Sequence, residues 1–122
     1  MPLYWVHSIK KENVAAEDML AVRDDHLRWQ FKGEAEGKIF GAGPLFDPEG
    51  DPPPKEGMYV VVCKDAAEAR AHADSDPFHA KGLRDYDLLR WRINESSYLG
   101  VGLRAKLNGD EPSNHHYWPP SE

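Results

Sequence analysis

From Gly57 to Cys63 the chain reads Gly-Met-Tyr-Val-Val-Val-Cys, β-branched and apolar at almost every step. Side chains of a strand alternate between the two faces of its sheet, so a strand this apolar has to be covered on both. It is therefore expected to lie inside a sheet, with neighbours packed above and below it. The ten residues before it, Asp47 to Glu56, hold four prolines and read as a stiff exposed loop. Before that loop, Lys38 to Phe46 reads as a strand weakened by small residues, where Gly41 and Gly43 admit a close approach to the backbone.

The remaining elements fall on either side of this pair. Leu3 to Ile9 alternates as a first strand, with Tyr4, Val6 and Ser8 on one face and Leu3, Trp5, His7 and Ile9 on the other. Either face can be the buried one. Asn13 is the expected N-cap of a helix from Val14 to about Lys32, and Ala16, Leu20, Leu27 and Phe31 form the stripe expected to pack on the sheet. Arg23 falls at the centre of that stripe, where it calls for an anionic or carbonyl partner, while His26 lies on the flank with Met19 and Val22. Gly33 and Gly37 are expected to bracket an acidic turn.

After the apolar strand, Asp65 with Glu68 resembles a capping box for an Ala-rich helix to about Asp74. Asp76-Pro77-Phe78 opens a further short turn that Gly82 ends, and Tyr86 to Ile93 is the next strand. The order β-α-β-β-α-β is that of a ferredoxin-like α+β sandwich. Tyr98 to Leu107 is expected to add one C-terminal strand, followed by a polar Pro-rich tail over 108–122, so the division is a domain of residues 1–95 and an extension of 96–122. With both helices on one face, the other face of so apolar a sheet would lie open, and face-to-face pairing of two copies into a barrel-like homodimer is the expected remedy.

Composition narrows the function. A net charge of −6 and the absence of a dense basic cluster argue against nucleic acid as a partner. No apolar run approaches the roughly 20 residues of a membrane helix, and the opening residues do not read as a signal sequence, so a soluble cytoplasmic protein is expected. Cys63 is the only cysteine, which rules out an internal disulfide and a cysteine-based zinc cluster. His72, His79 and the His115-His116 pair lack a placeable third ligand, so no metal and no cofactor is expected.

Arg23-Asp24-Asp25-His26-Leu27, Ile39-Phe40-Gly41-Ala42-Gly43-Pro44-Leu45 and Asp76-Pro77-Phe78, in this order and spacing, resemble the YCII-related (YciI-like) family over most of positions 3–94. The resemblance implies a ferredoxin-like domain that pairs into a dimeric α/β barrel, with a His–Asp centre carried here by His26 and Asp76. By the same match Arg23 takes the basic position before the histidine, and Gly43 and Pro44 the glycine-proline turn. An aromatic dehalogenating lyase is among the few members with an assigned chemistry. The Pro-rich loop and the tail depart from the family pattern.

Residue chemistry agrees with such a centre. A histidine titrates near neutral pH, and a carboxylate on one ring nitrogen fixes the tautomer and readies the other for proton transfer. Arg23 is placed to hold a phenolate or carboxylate, and Trp29 and Phe78 to wall a pocket, although the spacing of Trp29 also fits plain packing. Asp76 before Pro77 equally reads as a helix N-cap, and the two roles are compatible if one carboxylate oxygen caps and the other accepts from an imidazole. The expected function is proton transfer or elimination on a small aromatic or enol-forming substrate, by an enzyme of lyase or isomerase type. The alternative is a non-catalytic dimeric module that binds a small ligand or serves in assembly.

Overall fold

The computed structural model describes residues 2–50, 54 and 56–99, and the backbone of 101–102. Residues 2–91 contain β1 (Leu3–Lys10), α1 (Ala16–Ala35), β2 (Ile39–Leu45), β3 (Glu56–Val62), α2 (Ala66–Asp74), the single turn α3 (Pro77–Ala80) and β4 (Arg84–Trp91). The sheet is antiparallel in the order β2-β3-β1-β4, a ferredoxin-like α+β arrangement. As its sequence requires, β3 is interior, paired with β2 on one side and β1 on the other.

The helices cover the face of Tyr4, Val6 and Ser8. Tyr4 opposes Val61 and Val6 opposes Tyr59, and these four pack with Cys63 and with Ala69 and Ala73 of α2. Small residues four apart on α2 let that helix settle close to the sheet, which leaves both alanines fully buried. Asp65 caps α2 by accepting from Glu68 N–H at 2.9 Å. Val60, on the opposite face, is also buried. A bulge between Ile39 and Gly41 turns Phe40 out of register, and its ring meets Trp91 edge-on at 6.0 Å.

Several sequence expectations shift. Helix α1 begins at Ala16, with Ala15 rather than Asn13 at the N-cap position, and Asp18 accepts from Ala15 N–H at 3.3 Å. It runs through Gly33 to Ala35 and stops where Gly37 takes φ +73°. The stripe expected to pack on the sheet does not: Leu20 and Phe31 are 65% and 62% exposed. The face turned inward carries Met19, Val22, His26, Trp29 and Gly33. Arg23 is accordingly exposed, and the partner a core guanidinium would demand is not required. Strand β4 begins two residues earlier than expected, at Arg84.

A second unit starts at Arg92, where β5 (Glu95–Ser96) pairs antiparallel with β6 (Val101–Gly102). Within the extra strand expected over 98–107, residues 101–102 are β6 and Tyr98 and Leu99 lie in the connecting turn; 103–107 and the tail lie outside the described residues. The Pro-rich loop is described only in part, since residues 51–53 and 55 are likewise outside. No described helix is long and apolar enough to cross a membrane.

Candidate functional site

Asp76 follows Ser75, the C-cap of α2, and opens α3. With Pro77 at the first helical position, its backbone leaves the helical region and its Oδ1 accepts from Phe78 N–H at 2.9 Å. The same oxygen lies 2.9 Å from Nδ1 of His26, fifty residues earlier on α1. The expected division of labour between the two oxygens is therefore not the one found: Oδ1 takes both the cap and the imidazole. Oδ2 receives the hydroxyl of Tyr59 at 3.3 Å, from the centre of β3. Asp76 is only 1% exposed, and a buried carboxylate is tolerable only with such donors around it.

Tyr59 is suited to be one of them. Burial, and then the neighbouring Asp76 charge, hold its phenol well above the ordinary tyrosine range, so it remains a neutral donor. His26 is positioned by rings as well as by the carboxylate, 4.5 Å from Phe78 and 5.8 Å from Trp29, centroid to centroid. With Nδ1–H donated to Asp76, the lone pair of Nε2 is left for the cavity that His26 lines.

That cavity encloses about 470 Å³ between α1 and the β2–β3 side of the sheet. Of the residues picked out from sequence, Arg23, His26, Gly43, Pro44, Asp76 and Phe78 border it, Arg23 from the exposed side. Trp29 does not. Its ring is packed against Tyr59 (5.4 Å) and His72 (4.6 Å), and its indole N–H is given to Ser75 Oγ at 2.9 Å. The indole is thus part of the backing of His26 and not a wall of the cavity.

Among the bordering residues not singled out from sequence are Tyr59, Ser8, Gln30 and Arg84. Nδ1 of His79 donates to the carbonyl of Ala73 at 2.7 Å. Its Nε2 is hydrogen-bonded to the Ser8 hydroxyl at 2.8 Å. Nη1 of Arg84 approaches Ser8 Oγ only to 3.5 Å, and its guanidinium lies 4.9 Å from the centroid of Phe78. Burial pulls the Arg84 pKa below its ordinary value, with Asp76 and Tyr59 acting the other way. Nε of Arg84 and Oε1 of Gln30 are buried without a hydrogen-bond partner. Among the described residues no group of three or more His, Cys, Asp and Glu is arranged to hold a metal ion.

The arrangement joins an imidazole, a buried carboxylate behind it, an aromatic side chain and a half-buried cation around one space large enough for a small molecule. Comparisons with known proteins bear on what it is. The YCII-related domain matches residues 3–92. A similar solved structure is the 5-chloro-2-hydroxyhydroquinone dehydrochlorinase TftG from Burkholderia phenoliruptrix AC1100, in complex with 2,5-dihydroxybenzoquinone. It shares 17% identity at a TM-score of 0.64, covering 74% of this chain and 93% of that one. At that identity the likeness establishes the fold. No curated protein sequence matches the chain.

Proposed function

The chain belongs to the YCII-related domain family, and we propose that it is a small-molecule enzyme of lyase or isomerase type in which His26, oriented by Asp76, transfers a proton. The observation that carries the reading is the His26 Nδ1 to Asp76 Oδ1 contact of 2.9 Å beside an open cavity. Nε2 takes a proton from a C–H or O–H of the substrate. The electron pair released forms a double bond, and either a leaving group departs with its own pair or the proton returns at another atom. Asp76 stabilises the imidazolium formed, and Phe78 supplies a flat apolar floor that suits a ring or a planar enol. An elimination is in keeping with the similar solved protein, a dehydrochlorinase by name.

The homodimer belongs to the same proposal. On the face away from the helices, Ile9, Leu89, Trp91 and Phe40 are exposed large apolar side chains of one sheet. A second copy laid against that face would remove them from water.

The proton-transfer step is tested without knowing the substrate, by following exchange of C–H for deuterium in D₂O over a set of small enolisable ketones and hydroquinones. The wild type is expected to accelerate exchange for at least one compound, and His26→Ala to abolish that acceleration while leaving the fold intact. Acceleration that survives His26→Ala would sink the assignment.

A further inference from the structure

Arg84 opens β4 with its guanidinium against the cavity, and its charge is poorly answered. A guanidinium carries five N–H donors, and burying them unpaired is costly. Among the described residues the partner of Arg84 is Ser8 Oγ, at 3.5 Å, and Nε is buried with none. The carboxylate it senses, Asp76, is already engaged by His26, Phe78 N–H and Tyr59. The other acidic residues bordering the cavity do not answer it either: Glu56 pairs with His7, and Glu34 is exposed. Gly57 leaves the guanidinium its space, since a Cβ there would stand 3.2 Å from Nη1.

We propose, building on the reading of this cavity as a substrate site, that Arg84 receives an anionic oxygen of the substrate. The ligand class is then a small molecule bearing a carboxylate or an ionised enol or phenol. Arg84 and His26 flank one ring: the guanidinium lies 4.9 Å and the imidazole 4.5 Å from the centroid of Phe78. Both border the same cavity, so one small ligand seated there can meet both. Arg23, the cation that sequence reading favours for this task, is exposed, where water and salt weaken its hold on an anion. Half-buried Arg84 is less screened than exposed Arg23 and is the better anion receptor of the two.

Benzoate and its neutral analogue benzamide test this. NMR titration of the wild type is expected to give benzoate binding at least about tenfold tighter than benzamide, with the Arg84 Nε–H resonance moving for benzoate only. Arg84→Gln is expected to erase the preference, and Arg23→Gln to change it by less than about twofold. His26→Ala is expected to keep it, so failure of the anion assignment and failure of the proton-transfer reading are seen separately. Absence of benzoate binding, equal affinity for both compounds, an unmoved Nε–H resonance, or a preference that survives Arg84→Gln would each overturn the assignment. The wild-type arms hold even if Arg84→Gln does not fold.

Discussion

The hydroxyl of Tyr59 donates to Oδ2 of Asp76 across 3.3 Å, so the carboxylate that orients His26 is itself held from the middle of the sheet. The site is thereby tied to an interior strand of the sheet.

Tyr59→Phe is expected to keep the fold and to lower stability by about 1–3 kcal/mol, the usual cost of leaving a buried charged acceptor one donor short. The pH profile should change as well. The folded chain holds the Tyr59 proton above the range where an unfolded tyrosine releases it, so the unfolded state binds fewer protons there and stability falls as pH rises past about 10. Urea denaturation from pH 8 to 11 should show this loss in the wild type and a shallower one in Tyr59→Phe.

Asp76 variants separate its two duties. Asp76→Asn retains a side-chain oxygen for the Phe78 N–H cap but loses the charge behind His26. Turnover should drop on the order of 10²–10⁴-fold while stability falls by about 1–3 kcal/mol. Asp76→Ala also loses the cap and strands the His26 and Tyr59 donors, and should lose at least about 3 kcal/mol. Thermal melts of the two variants beside their rates provide the check, and equal melts would contradict the cap.

His72 sets an acid limit of its own. Burial, and then Lys38, lower its pKa, and its Nε2 is buried without a partner against Trp29. The unfolded chain takes up a proton near pH 6.5 that the folded chain resists, so this contribution to stability is present above that pH and lost as pH falls below it. His72→Phe keeps an aromatic ring against Trp29 and removes the titration. Denaturation between pH 5 and 7 should give a flatter profile for the variant than for the wild type.

Much of the chain was legible because its periodicities are local. The apolar run of β3, the Asp65 cap and the Asp76-Pro77 start each rest on a few adjacent residues. The buried face of α1 was not, because it is built from Met19, Val22, His26, Trp29 and Gly33, chemically mixed residues that form no apolar stripe. The more uniform stripe of Leu20, Leu27 and Phe31 borders the cavity instead. Ser8, His79 and Arg84 could not be associated from sequence, since their contacts join β1 to residues more than seventy positions away.

The open sheet face makes a statement about assembly. Leu89 of β4 is 59% exposed, and sedimentation at micromolar concentration is expected to give a species of twice the 13.8 kDa chain. Leu89→Lys should shift that equilibrium toward monomer. A folded wild-type monomer at that concentration would refute the homodimer.

One oxygen of Asp76 serves both the start of α3 and the imidazole of His26, and this has a consequence for selection experiments. A library screened only for soluble, folded protein will favour Asp or Asn at position 76 for the helix it begins, and will press on His26 only through the one donor it gives that carboxylate. Adding a demand for turnover should fix His26 and narrow position 76 from Asp or Asn to Asp. The difference between the two screens, read at position 26, therefore isolates the chemistry from the architecture.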